Sequence, residues 1–283
     1  MKKIVTALFV SGLICMTDAQ VKTPQASLSA EIEQTVGLTK IEIEYSRPNK
    51  SNREIFGNLV PYGKVWRTGA NKNTTIEFSD DVVVGGQKLA KGKYAIYTEP
   101  QPESWTIYFY SDNENWGNPK NWDTSKIAAK SVVKTQTLSQ PVETFTISLD
   151  DLNPNSAMLN FSWDKTRAGV KIEVPTKDKV MATIKSTMNG EPTAQDYIAA
   201  ANYYFASGED IQQAKKWIDK GIGMNPNPAY YQLYSQAQIH MEAGEFKSAK
   251  RIGENALAAA QAAGDDHYVK LISELNQKLS KAK

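Results

Sequence analysis

The sequence predicts a mainly β N-terminal domain, an antiparallel sandwich or barrel, followed by an all-α domain of helical repeats. Two features of the pattern carry this. From about Ala26 to Val174 apolar residues alternate with polar ones and turns recur, as short half-buried strands require. After Pro175 the apolar period lengthens to that of a helix, and no strand-like stretch follows. The 283 residues accommodate two domains of roughly 150 residues each.

The N-terminus belongs to neither domain. Lys2 and Lys3 precede an apolar run from Ile4 to Met16, and Thr17-Asp18-Ala19 sets small residues ahead of Gln20. That order predicts a secretory signal peptide over residues 1–19, with cleavage before Gln20. The run falls short of the ~20 residues that a spanning helix needs. Cys15 follows Ile14, where a lipid-attachment site wants a small residue. Cleavage would leave no cysteine, excluding disulfides, thiolate catalysis and cysteine–zinc sites from the mature chain. The protein is therefore expected to be exported, periplasmic or extracellular, with no membrane span.

The β domain is expected over residues 20–175. Ile41-Glu42-Ile43-Glu44-Tyr45 alternates with one apolar and one charged face. Thr75–Phe78 and Val82–Val84 follow, then Gly85-Gly86, a pair suited to the positive φ of a tight hairpin. Lys93–Thr98, Trp105–Tyr110, Ser131–Leu138, Phe145–Leu149, Ala157–Trp163 and Val170–Val174 complete the expected strands. Short strands at this spacing, with no helix between them, indicate an antiparallel sandwich or barrel. Asp150 to Asn155 reads as a turn, rich in Asp, Asn and Pro.

A linker helix is expected over residues 176–193, where Val180, Met181, Ile184 and Met188 share a face ahead of Asn189-Gly190. Residues 194–283 then contain an internal near-repeat. Gly208 to Ala214 (GEDIQQA) resembles Gly244 to Ala249 (GEFKSA), and Ala214 and Ala249 lie 35 positions apart. The small residues Gly221 and Ala256 follow seven positions after those alanines, where a second helix can approach closely. The period is near the ~34 residues of the tetratricopeptide repeat, which this region resembles. Two such units, 194–228 and 229–263, and a closing helix are expected; an ordinary helical bundle is the alternative.

One stretch of the β region is more specific. It contains Tyr45-Ser46-Arg47-Pro48, then Leu59-Val60-Pro61-Tyr62-Gly63, then Trp66-Arg67-Thr68-Gly69-Ala70-Asn71. With Gly92-Lys93-Tyr94 and Trp116-Gly117, it closely resembles the domain-of-unknown-function family 2911, over about Pro24 to Val174. The resemblance implies an exported protein, typically from Bacteroidetes-type bacteria, with a tetratricopeptide-like tail in several members. It implies no mechanism.

The same stretch supplies candidate ligand-binding residues on physical grounds: Arg47, Arg53, Tyr62, Trp66, Arg67 and Asn71. Pro48 biases Arg47 toward extended backbone, and Pro61, Gly63 and Gly69 punctuate the loops around the others. Arginine offers a forked donor to anions, while tryptophan and tyrosine offer flat apolar faces. A structural role is the alternative: the arginines would pair with Glu42, Glu44, Glu54 or Glu77, while Trp66 and Phe56 would close one end of the core.

Other chemistries find little support. The only histidines, His240 and His267, fall in the helical region, so the β region lacks a histidine metal site or a Ser-His-Asp base. No phosphate-binding glycine loop or nucleophile elbow occurs. Asp112, Glu114 and Asp123 have only a faint calcium-loop spacing, with Trp116 at a ligand position. No cofactor or metal is expected. A formal charge of +2, with lysines interspersed among acids, speaks against a nucleic-acid surface. The expected function is non-enzymatic: a small polar or anionic ligand or glycan at the β domain, and a protein partner at the helical repeats. A metal-independent hydrolase using Asp or Glu on carbohydrate or peptide is the alternative.

Overall fold

Strand follows strand from Leu28 to Glu173, and helices alone follow, in a computed structural model that describes residues 23–282. The expected signal peptide and Cys15 lie outside the described residues. The chain divides into two units, residues 1–176 and 177–283.

The strands are β1 (Leu28–Val36), β2 (Thr39–Arg47), β3 (Thr75–Phe78), β4 (Val82–Val84), β5 (Gln87–Leu89), β6 (Gly92–Pro100), β7 (Ser104–Tyr110), β8 (Ile127–Asn153) and β9 (Ser156–Glu173). They form one antiparallel sheet in the order β1-β2-β3-β6-β7-β8-β9-β4-β5. Two of these strands, β1 and β5, were not singled out by the sequence pattern. Conversely, four expected strands merge into two. Ser131–Leu138 and Phe145–Leu149 both belong to β8, because the chain between them makes register shifts against β9 instead of a turn. Such bulges bend a strand without ending it.

That bend lets the sheet curl over itself. The first part of β8 pairs with β7, the later part with β9. The later part also meets the chain leaving β2: Phe145 N donates to Pro48 O at 2.9 Å, and Lys50 N to Glu143 O at 2.7 Å. Tyr45 stands at the same junction. Its hydroxyl accepts from Ile147 N at 3.1 Å and donates to Ile147 O at 3.4 Å. Inside the curl lies one core, including Ile41, Ile43, Ile76, Trp105, Ile107, Phe109, Phe145, Leu159, Phe161 and Trp163.

Strands β6 and β7 are apolar on both faces. Ile96 and Ile107 point into the core, while Tyr97 and Tyr110 pack on the other face with Trp122. The Tyr110 and Trp122 rings stack 4.7 Å apart. Residues 111–126 cover this second aromatic layer and are pinned by Asn113 Nδ2 to Lys93 O at 2.7 Å and by Asn118 Nδ2 to Val65 O at 2.8 Å.

The helices are α1 (Thr176–Met188), α2 (Ala194–Ala206), α3 (Ile211–Met224), α4 (Tyr230–Glu242), α5 (Phe246–Ala263) and α6 (Asp266–Lys281). Thr193 and Asp196 form a capping box on α2, and Asp210 caps α3 through Gln212 N and Gln213 N. The two similar segments found in the sequence occupy equivalent places. Gly208 and Gly244 turn α2 into α3 and α4 into α5, with φ of +67° and +80°. Ala214, Ala249 and Ala256 are buried, and Gly221 sits so close to α2 that an added Cβ would lie 2.8 Å from Ala194 O.

Candidate functional site

The connection from β2 to β3, residues 48–74, is the longest stretch without regular structure in the β unit. Long ordered connections of this kind often carry function. Ile55 and Val60 anchor it in the core, with 1% and 3% exposure. Further along, Trp66 N donates to Thr98 O at 2.7 Å and Thr98 N to Trp66 O at 2.9 Å, tying the loop to β6.

The six residues singled out from the sequence receive different surroundings. Arg47 is a brace: its Nε donates to Phe145 O at 3.1 Å and its Nη2 to Thr146 Oγ1 at 2.8 Å, across the junction of β2 and β8. Arg53 is exposed; its Nε donates to Lys50 O at 2.9 Å and its Nη2 to Asn49 O. Arg67 is half-buried, with Nη1 donating to Asn71 O at 3.1 Å and lying against Gly117. Asn71 donates to Gln25 Oε1 at 2.9 Å and to Ser27 O at 3.1 Å, holding the chain that leads into β1. Tyr62 packs over Gly57 at the loop surface. Trp66 donates from Nε1 to Gly69 O at 3.2 Å and packs among Phe56, Trp105, Phe145 and Trp163.

The glutamates considered as partners for these arginines are otherwise engaged or apart. Glu42 takes Lys40 at 2.5 Å, and Glu44 takes Lys93 at 3.1 Å. All three arginines are held by neutral oxygens. Among the described residues no carboxylate offsets their charge, and these bonds orient them.

Three of the six share a groove of about 630 Å³. Arg53, Trp66 and Arg67 line it together with Asn49, Ser51, Leu59, Gly69 and Trp163. Arg47, Tyr62 and Asn71 are not among its lining residues. Trp163 and Leu59 were missed in the sequence for different reasons. Trp163 reads as an ordinary core residue of a distant strand, and it reaches the groove only because the sheet curls. Leu59 enters the sequence reading only as part of the Leu59–Gly63 string, yet its side chain is 44% exposed beside Val60, which is buried. A surface leucine beside an arginine-bearing turn was the available signal.

The backbone around the groove is strained. Thr68, a β-branched residue at φ +57°, sits in the left-handed region and is fully buried. Its hydroxyl donates to Trp66 O at 3.2 Å and Thr74 Oγ1 donates to Thr68 O at 2.6 Å, which holds the turn. Gly69 at φ +150° has no room for a side chain, since a Cβ would lie 2.9 Å from Ser46 O.

Behind Arg67, the segment 111–126 is locked by its own polar contacts. Asp112 is held below the ordinary carboxylate range by the Lys126 ammonium, 2.6 Å away. Burial pushes the Tyr97 hydroxyl up to about 12; it donates to Gly117 O at 3.2 Å. Asp112 is thus an ion-pair partner in a braced loop. A second groove of about 440 Å³, lined by Glu31, Glu44, Lys72 and Asn73, mixes charges of both signs, and Glu44 is already neutralised by Lys93.

A curled antiparallel sheet, with a cationic groove on its longest connection and helices after it, defines a mainly β protein with an all-α tail. Within that class the family can be stated. The family described as protein of unknown function (DUF2911) matches residues 27–172, and the chain belongs to it. No curated protein and no solved structure matches the chain.

Proposed function

We propose that this is an exported, non-enzymatic binding protein whose β unit takes a small polar or anionic ligand, or a glycan, in the groove beside Trp66. The observation that carries this reading is the meeting of Arg53 and Arg67 on one groove with the apolar Leu59, Trp66 and Trp163. Apolar walls with a few fixed polar groups are what small-ligand sites are made of, and ~300–1,000 Å³ is their usual size. Among the described residues the groove lining includes no Asp or Glu, which gives the hydrolytic alternative no acid–base pair at this place.

Export rests on the charged and apolar order of residues 2–19. The tetratricopeptide-like reading rests on the 35-residue spacing and on the equivalent turns at Gly208 and Gly244. On that reading the helical unit presents a surface to a protein partner.

A thermal-shift screen tests the proposal: purified protein against sugars, organic acids, phosphates and peptides, with Arg53→Ala and Arg67→Ala as controls. Binding at the groove predicts a raised midpoint that both variants lose. A shift retained in both would move the site elsewhere, and no shift from any ligand would sink the small-ligand function.

A further inference from the structure

We infer that the groove selects an organic oxyanion on an apolar body, a carboxylate or phosphate monoester, over a neutral sugar. The inference deepens the proposed function and rests on it.

The charge of the lining points first to an anion. Among the described residues Arg53 and Arg67 are the only ionisable side chains on the groove. Neither has a carboxylate partner among the described residues, and both donate to neutral carbonyls, Arg53 to Lys50 O and Asn49 O and Arg67 to Asn71 O. Elsewhere in the β unit lysines make the ion pairs, as Lys40, Lys50, Lys93 and Lys126 do. Two arginines on one groove, with no carboxylate among its lining residues, are a charge arrangement that a bound oxyanion would complete. Each guanidinium also keeps N–H donors beyond those bonded to carbonyls, in the fork that carboxylate and phosphate oxygens match.

Backbone strain is the second, independent observation. Among the described residues six non-glycine positions have positive φ: Ser51, Asn52, Thr68, Asn71, Asp151 and Asp164. Four of the six fall on the two turns that carry Arg53 and Arg67. Asparagine takes this region readily, but at the β-branched Thr68 it is strained and persists because hydrogen bonds hold it, which keeps the Arg67 turn in one shape.

The aromatic environment argues against a neutral sugar. A pyranose ring needs an open aromatic face. One face of Trp66 is stacked on Trp163 at 5.8 Å and 17°, with Phe145 at 5.1 Å, so the ring is only partly exposed. The exposed apolar wall of the groove is Leu59, beside the partly exposed edge of Trp66, which suits an aliphatic or aryl body.

The test titrates purified protein calorimetrically with benzoate and phenyl phosphate. Benzyl alcohol serves as the neutral aryl body and maltose as the neutral sugar. The expected result is binding of at least one anion, with benzyl alcohol roughly tenfold weaker or worse. Raising salt from about 50 to 500 mM should weaken the anion, because charge attraction is screened. Arg67→Gln should abolish the response. Arg53→Lys, at an exposed position, should stay folded by circular dichroism and still bind more weakly, since it keeps the charge and loses the fork. Equal binding of benzyl alcohol, or salt-independent binding of maltose alone, would overturn the oxyanion inference and leave the binding function standing. Silence from both anions also overturns it; silence across the wider screen removes the proposed function as well.

Discussion

Replacing Tyr45 by Phe removes one oxygen from the junction that closes the curled sheet. Ile147 sits in β8 with its N–H and C=O directed away from β9, and the Tyr45 hydroxyl serves both. The tyrosine is 5% exposed and Ile147 is 2% exposed, so water cannot readily take the place of the lost hydroxyl. A buried N–H left without a partner costs about 1–3 kcal/mol, while the ring and its edge contact with Phe145 at 6.0 Å are retained. Taking about 2 kcal/mol, and 2–4 °C per kcal/mol for a unit of this size, the midpoint should fall by roughly 4–8 °C. Tryptophan fluorescence is the suitable probe, because five of the six tryptophans lie in residues 66–163. Urea unfolding should shift its midpoint with an unchanged slope. A fall below about 1 °C would refute the reasoning, because the hydroxyl would then contribute nothing to closure.

Other outcomes follow from the same geometry. Arg47→Met should destabilise the β unit by about 1–3 kcal/mol through loss of the bonds to Phe145 and Thr146, and leave the groove's ligand affinity unchanged; Arg53→Gln should do the reverse, and paired unfolding and titration curves separate the two. In α3, Gly221→Ala should destabilise the helical unit by about 1–3 kcal/mol, since the new Cβ would lie 2.7 Å from Ile198 Cγ1. Gly223→Ala, with open space around it, should instead stabilise by up to about 1 kcal/mol, as read from the helical dichroism on heating. Tyr97 should be absent from the phenol ionisation seen spectrophotometrically near pH 10, because burial raises it to about 12. The folded chain holds that proton longer than the unfolded one, so its contribution to stability is full below pH 10 and is lost as pH rises toward 12. Asp219 behaves oppositely: burial alone would raise its carboxyl, and the bonds from His240 and Gln236 more than reverse that, holding it below its ordinary value. Its contribution is present above the unfolded value of 3.8 and is lost as pH falls through the lowered folded value, which acid unfolding of Asp219→Asn against the parent would measure.

Local pattern made much of this fold legible. Alternation in Ile41–Tyr45 marks an inward face that is buried in the core, and the change after Pro175 falls where helices begin. The strand breaks were not legible, because a bulge and a turn disturb alternation alike, and only pairing with β9 distinguishes them. The candidate site divides on the same principle. The sequence identifies Arg47, Arg53 and Arg67 as one group of loop arginines. Their roles diverge because Arg47 meets Phe145 O, 98 positions away, while Arg53 is held by carbonyls within four positions of itself. Trp66 shows the limit from the other side: an aromatic in a turn reads as a binding face, and its stacking on Trp163 becomes visible only in three dimensions.

One consequence of the long bent strand β8 concerns how the β unit comes apart. Its early residues pair with β7 and its later ones with β9, so a single covalent segment is shared by both halves of the curl. Neither half can detach without dragging that segment out of the other, and a cut near residues 138–144 would leave two fragments that each expose half a core. The contact of Tyr45 with Ile147 bridges 102 positions of chain, so closure comes late and its chain entropy must be met before the core rewards it. The β unit should accordingly melt in one step and refold slowly.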